Sequence, residues 1–213
     1  MNCTSIIRNR NESQWIGHAI QSFIDFFPNG EIIVVNNNST DDSMDIVNLF
    51  DFYDIKIINM NEYTPGKSIN AAVNIAKNEC ILVQSAHSVI KKINHEKLSE
   101  YLKIYCAVFG NQIPYYKGKR ITKRYVWSNF QENKIITNLY SDDEKRYFLH
   151  NAFCFYNKNI ISKLPFDENL CGKEDRYWAK NSIERGFKYL YDSKNFACDH
   201  HYTVNGATWK GIG

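Results

Sequence analysis

No Cys-x-x-Cys pair occurs among the six cysteines of this chain, and no histidine stands at zinc-ligand spacing from any of them. Cys3, Cys80, Cys106, Cys154, Cys171 and Cys198 are scattered, most of them in apolar runs, so buried thiols in a reducing cytosol are the simplest reading. Long apolar runs are missing too. No stretch is long enough to cross a bilayer and the first residues form no apolar signal segment, so a cytoplasmic location is expected. Charge of one sign is scarce: the formal net charge is +3 over 213 residues, which gives no ground for a nucleic-acid partner. Only Lys117 to Arg124 concentrates positive charge, as Lys117-Gly118-Lys119-Arg120 and Lys123-Arg124. A solvated loop is the plainer reading of that run; peripheral contact with anionic lipid or a phosphorylated acceptor is the other. Neither Gly-x-Gly-x-x-Gly nor a Walker glycine loop is present, so neither a dinucleotide nor a P-loop phosphate site is indicated. No repeat, low-complexity tract or linker divides the chain.

What is present is a folding composition, 44% hydrophobic and 15% aromatic, and a regular first ninety residues. Thr4-Ser5-Ile6-Ile7 reads as a strand. A helix follows with Ile16, Ile20, Phe23, Ile24 and Phe27 on one face, stopped by Pro28 and Gly30. Glu31 to Val35 is apolar almost throughout, as a strand buried on both faces should be. Ser39 followed by Asp42 resembles a helix cap, with Met44, Ile46, Val47 and Phe50 in the helix behind it. Ile55 to Ile58 is a third strand, Gly66-Lys67 opens a helix, and Cys80 to Val83 is a fourth strand ending at Gln84-Ser85-Ala86-His87. Alternating strands and helices with short connections predict a parallel sheet flanked by helices, with ligands at the carboxyl ends of the strands. Those ends hold Arg8 to Asn11, Asn36 to Asn38 and Ser85 to His87.

The second half is less regular. Ala107 to Gly110, Ala152 to Tyr156, Lys188 to Tyr191 and Phe196 to Asp199 read as strands, Lys158 to Leu164 as a short helix, and Tyr125 to Asp143 shows no clear period. Pro165-Phe166-Asp167-Glu168 leads through Gly172 to Glu174-Asp175. These open a helix with Trp178, Ala179 and Ile183 on one face and Gly186 just past its end. Two acids in a first turn are explained by the helix dipole alone, so the pair by itself does not argue for catalysis.

The blocks together resemble a known family. Thr4 to Glu12 with Trp15-Ile16 is similar to the opening of family 2 glycosyltransferases, and Val34-Val35-Asn36-Asn37-Asn38-Ser39-Thr40-Asp41 resembles their second-strand motif. Gly66-Lys67 through Asn70, then Ala76 and the fourth strand, resemble their third block. Gly110 to Pro114, Pro165 to Glu168 and Glu174-Asp175 look like the branch that includes rhamnosyltransferase-like enzymes of bacterial surface polysaccharide synthesis. The resemblance spans nearly the whole chain, in order. It implies an α/β GT-A fold: a mostly parallel, Rossmann-like sheet flanked by helices, with a carboxy-terminal lobe on the acceptor side. Residues 1–90 would form the nucleotide-sugar-binding half and 91–213 the acceptor-binding half of one domain. The implied activity is inverting transfer of a sugar from a nucleotide donor to a glycan or lipid-linked glycan. An inactive nucleotide-binding subunit and a nucleotidyltransferase are the alternatives.

Under the resemblance Asp175 is the base that takes the acceptor's proton, and Glu174 positions the acceptor or the helix. Thr4, Arg8, Asn9 and Glu12 line the donor pocket, and Asn37 stands where many relatives place a carboxylate that pairs with uracil. Lys67, Ser85 and His87 complete the donor side, with His200 and Trp178 for the phosphate or acceptor. The family's Asp-x-Asp, which holds a divalent metal, is replaced here by Ser85-Ala86-His87. Three readings follow: a Mg²⁺ or Mn²⁺ site using His87 with His201 or His200; a metal-free site in which Lys67 and the histidines counter the leaving group's charge; or a satisfied core histidine at position 87.

Overall fold

The computed structural model describes residues 1–203. In chain order the strands are β1 (Cys3–Asn9), β2 (Glu31–Asn36), β3 (Ile55–Asn59), β4 (Cys80–Ser85), β5 (Ser88–Ile93), β6 (Ala107–Phe109), β7 (Asn111–Tyr116), β8 (Lys119–Arg120), β9 (Ile135–Thr137), β10 (Tyr140–Ser141), β11 (Arg146–Tyr147), β12 (Phe153–Asn157), β13 (Tyr189–Asp192) and β14 (Phe196–His201). The helices are α1 (Ile16–Phe26), α2 (Ser43–Asn48), α3 (Pro65–Ile75), α4 (His95–Tyr101), α5 (Lys158–Ile161) and α6 (Glu174–Glu184).

One eight-stranded sheet in the order β3-β2-β1-β4-β12-β6-β13-β9 carries the molecule, and both halves of the chain contribute to it. Its first four strands are parallel, β6 and β13 follow the same direction, and β12 and β9 run against it. This is the mostly parallel, helix-flanked α/β architecture expected from the alternation of elements. Side chains alternate between two apolar layers, because successive residues of a strand point to opposite faces. Ile6, Ile33, Val35, Ile81 and Val83 face Ile69, Ala72 and Val73 of α3 and Trp178 and Ala179 of α6. Ile7, Ile32, Val34 and Leu82 face Ile16, Ile20 and Phe23 of α1 and Leu98 of α4.

A second sheet, β5-β14-β7-β8, escapes the sequence reading, as do β5 and α4. The chain passes from β6 into β7 of this sheet at Gly110, where a Cβ would lie 2.3 Å from the Phe196 carbonyl oxygen, so only glycine fits this crossing. Gly66 is required for the same reason: at the start of α3 a Cβ would lie 2.4 Å from the carbonyl oxygen of Asp167. That close approach docks the Pro165–Glu168 block on α3. The Asn70 amide then accepts from Phe166 N and donates to Phe166 O, both at 2.9 Å, as a neighbouring strand would.

Two local expectations are corrected. Ser39 does not cap α2; its hydroxyl accepts instead from Asn11 N and Asn9 Nδ2, and the Ser43 amide is taken by Asp41. The basic run is not a uniform charged loop. Lys119 and Arg120 form β8, Arg120 pairs with Glu132, and Lys123 turns inward to donate to Asn111 Oδ1 and Phe130 O. Among the described residues no helix is long and apolar enough to cross a membrane.

Candidate active site

At one rim of the large sheet β1 ends in Arg8-Asn9, β2 in Asn36 and β4 in Ser85. Because β12 is antiparallel to β4, the residues that precede it, His150 to Ala152, arrive at the same rim, where Ser85 N bonds the Ala152 carbonyl. From the far side α6 presents Glu174 and Asp175 in its first turn. Between these walls lies a cavity of about 600 Å³. It brings together Arg8, Asn9, Glu12, Asn37, Ser85, His87, Glu174, Asp175 and His200 of the residues singled out in the sequence.

Asp175 is the better fixed of the two acids. Its Oδ1 accepts from the Arg176 amide at 2.9 Å, and its Oδ2 from Asn151 N at 3.1 Å and Arg176 Nη1 at 2.8 Å. Arg176 is itself anchored by both oxygens of Glu144, by the Leu149 carbonyl, and by the face of Phe148 at 4.2 Å. Burial would push the Asp175 carboxyl up, but Arg176, with His150 and the Asn151 amide, holds it below its ordinary value. Glu174 goes the other way. Burial and the adjacent Asp175 charge raise it, against Arg8 Nη1 and Asn151 Nδ2, which both reach its Oε1 at 3.3 Å.

The opposite wall, at the ends of β1 and β4, is less completely bonded. Arg8 donates from Nη2 to the Asn151 carbonyl at 3.3 Å, but its Nε is buried without a partner among the described residues. Asn9 donates to Ser43 and Ser39, while its Oδ1 is likewise buried and unbonded. Glu12 Oε1 accepts from His87 at 3.0 Å and from the Thr203 hydroxyl at 2.8 Å, tying the amino-terminal rim to the end of β14.

Three imidazoles line the floor. The His87 and His200 ring centroids are 4.8 Å apart, and those of His200 and His150 are 6.0 Å apart. Nδ1 of His87 is taken by Glu12 and Nδ1 of His200 faces Gln112 Oε1 at 3.2 Å, so Nε2 is the ring nitrogen that each has left, without a hydrogen-bond partner among the described residues. Burial, then the neighbouring His87 and His150, push His200 well below the usual histidine range; burial and the Arg176 charge push His150 down to about 3. Among the described residues no group of three or more His, Cys, Asp or Glu side chains is arranged to hold a metal ion.

Four expected residues are not brought to the cavity. Thr4 lies at the amino end of β1, fully buried, where its hydroxyl donates to Glu31 at 2.7 Å; a strand's two ends face opposite sides, and ligands meet only the carboxyl end. Lys67 extends to Glu62 at 3.2 Å and lines no part of the cavity. Trp178 is packed among Tyr156 and Phe166, with its indole N–H on the Leu164 carbonyl. His201 follows His200 in β14 and so points to the other face of its sheet, stacked on Trp15 at 3.6 Å. His200, not His201, is therefore the neighbour of His87.

Arg176, Glu144, His150 and Asn151 were not selected in the sequence. Arg176 was within reach, being next to the acids. His150 and Asn151 required knowledge that β12 runs against its neighbours, which periodicity does not encode.

The large sheet and its flanking helices form the mostly parallel α/β arrangement of a GT-A fold, and solved structures share it. The first 349 residues of S. aureus TarS, in complex with UDP, superpose with a TM-score of 0.72 at 19% identity over 95% of this chain and 61% of that one. The mannosyltransferase PcManGT from Pyrobaculum calidifontis, in complex with GDP-Man and Mn²⁺, gives 0.68 at 16% identity, covering 96% and 58%. GalNAc-T7 with UDP, GalNAc and Mn²⁺ gives 0.69 at 13%, covering 97% and 45%. At these identities the likeness is one of fold, and the chain spans about 60% of the TarS fragment's length. No curated protein matches the chain in sequence. The family model for glycosyl transferase family 2 matches residues 4–164, and the chain belongs to that family.

Proposed function

We propose that this chain transfers a sugar, with inversion, from a nucleotide-sugar donor to a hydroxyl of a growing bacterial surface glycan. The carrying observation is that the carboxylate of α6 and the polar ends of β1, β2 and β4 open on one cavity. Asp175 takes the proton from the acceptor hydroxyl as that oxygen bonds to the anomeric carbon. The bond from that carbon to the diphosphate oxygen breaks, and its electron pair leaves with the nucleoside diphosphate. The depressed Asp175 carboxyl is ionised at neutral pH, as a base must be. Arg8, His87 and His200 face the departing charge, Asn9, Glu12 and Asn37 the nucleoside, and Glu174 orients Arg8 and the acceptor. Residues 1–90 then supply most of the donor side and residues from 91 onward the acceptor side, with His200 reaching across to the departing charge, and the Gly110–Pro114 and Pro165–Glu168 blocks favour the rhamnosyltransferase-like branch.

His87 and His200 are the residues that would hold a divalent ion through Nε2; two imidazoles without a third ligand among the described residues fit Mg²⁺ or Mn²⁺, which favour oxygen ligands, less well than a carboxylate pair does. When bound it would add positive charge beside the diphosphate. The inactive-subunit reading rests on the missing carboxylates at Ser85 and His87. Thermal unfolding of the chain with UDP, GDP, TDP, CDP or CMP, each with and without Mn²⁺, is the test. At least one should raise the melting temperature. If none does, the donor site is refuted; binding with no turnover of any nucleotide sugar favours the inactive subunit.

A further inference from the structure

His150 has no part in the chemistry above, yet it sits between the acid and the histidine pair. Its successor Asn151 bonds Asp175, and its ring lies beside His200. Three aromatic rings encase it, Trp127, Phe130 and Phe148, at centroid distances of 6.1, 5.6 and 6.2 Å. The Ala152 amide approaches Nδ1 at 3.3 Å. A backbone N–H can only donate, so Nδ1 must accept, and the proton of the neutral ring resides on Nε2. Turning the ring over would leave that amide unbonded. Nε2–H has no partner among the described residues, on a side chain that lines the cavity. The ring is thus fixed and uncharged, accepting at Nδ1 and offering a donor only at Nε2.

A sugar that leaves a diphosphate held near Arg8 and His87, and is attacked by an oxygen activated at Asp175, has to lie between those groups. We propose that His150 is a specificity residue for the transferred sugar, its Nε2–H donating to a ring or hydroxyl oxygen of that sugar and making no contact with the nucleoside diphosphate. This rests on the donor reading given above. A neutral donor selects an oxygen acceptor and gains nothing from an ammonium or a methyl at that position, so it discriminates among sugars by what they place there.

The test compares affinities of the full chain for a nucleoside diphosphate and for its nucleotide sugars. The diphosphate used is the one that most raises the melting temperature, and the sugars are its glucose, galactose, N-acetylglucosamine and deoxyhexose conjugates. For the best-bound sugar, His150→Phe should lower the ratio of sugar to diphosphate affinity by roughly three- to tenfold, the worth of one hydrogen bond. Affinity for the diphosphate itself should stay the same. His150→Gln, whose amide N–H reaches the same region, should recover most of the ratio. In the unsubstituted chain, ¹⁵N imidazole spectra should show the Nε2–H form and a shift of His150 on adding the nucleotide sugar but not the diphosphate. An unchanged ratio in His150→Phe, or a His150 signal that moves equally with diphosphate alone, overturns the proposal and leaves the donor reading intact. Failure of every diphosphate to bind the unsubstituted chain overturns both.

Discussion

On the acid wall of the cavity Asp175 receives three hydrogen bonds, and Arg176 is held by two carboxylates, a carbonyl and an aromatic face. Across from it, on the rim proposed for the donor, Arg8 Nε and Asn9 Oδ1 are buried with no partner among the described residues. A buried polar group without a partner is costly, and most are satisfied. The contrast follows the work each wall is proposed to do. A base has to be at one place before the substrates arrive, so its support is complete within the protein. A rim that receives a diphosphate and a nucleoside keeps donors and acceptors in reserve for oxygens and amides that the ligand brings.

Substituting the wall at its centre should have the largest effect. Asp175→Asn keeps the shape and removes the base, so transfer should fall by about 10²- to 10⁴-fold while nucleoside-diphosphate stabilisation persists. Initial rates and melting shifts measured on the same preparation check this, and turnover near that of the unsubstituted chain would sink the assignment. Next comes the support behind it. Arg176→Met leaves the buried Asp175 and the half-buried Glu144 without their common cation, and should cost about 3–5 kcal/mol in denaturant unfolding. A loss under 1 kcal/mol would mean the wall is not held together as described.

The effect of pH sharpens the same contrast. His150 and His200 have folded-state pKa values below the unfolded value of about 6.5, His150 down to about 3. Their contribution is complete above about pH 6.5 and is lost as the pH falls toward 3, because the unfolded chain takes up protons that the folded one refuses. Asp175, also depressed, extends the loss into stronger acid, whereas Glu174, raised, is relieved by protonation and works against it. Denaturant midpoints between pH 7 and pH 4 should fall steadily, and less steeply in His150→Phe; equal slopes would show that His150 is not titrating as a buried neutral ring. The smallest effect belongs to the end of β1 away from the cavity. Thr4→Val removes a hydroxyl that bonds Glu31 and Asn78, and should cost about 1.5–3 kcal/mol of stability with no change in nucleoside-diphosphate affinity. A weakened affinity in that variant would return Thr4 to the donor site.

The first half of the sheet was legible in the sequence because it is local. Each strand and helix there is an uninterrupted periodic run, and the apolar stretch of β2 announces burial on both faces. The donor rim followed from it, since carboxyl ends are known once strands are. Asp175 was found through its motif, and Arg176, beside it, was not, because a guanidinium in a first helical turn looks solvated until Glu144 and Phe148 are placed around it. The sequence leaves His200 and His201 as alternatives because it does not give the phase of β14, whose one-residue alternation decides which imidazole faces the cavity. Lys67 was drawn in by its place in a motif, although the glycine before it, packed on Asp167, is what that motif secures. β5 and the small sheet were missed because short strands paired across a hundred residues leave little periodic trace.

The reversed direction of β12 has a consequence for how such a cavity can change. A strand running against its neighbours begins where they finish, so the loop leading into it opens on the floor they have built. The later part of the chain gains that access without any crossover helix. Exchanging three residues, His150 to Ala152, can therefore alter what the floor reads while every strand keeps its partners.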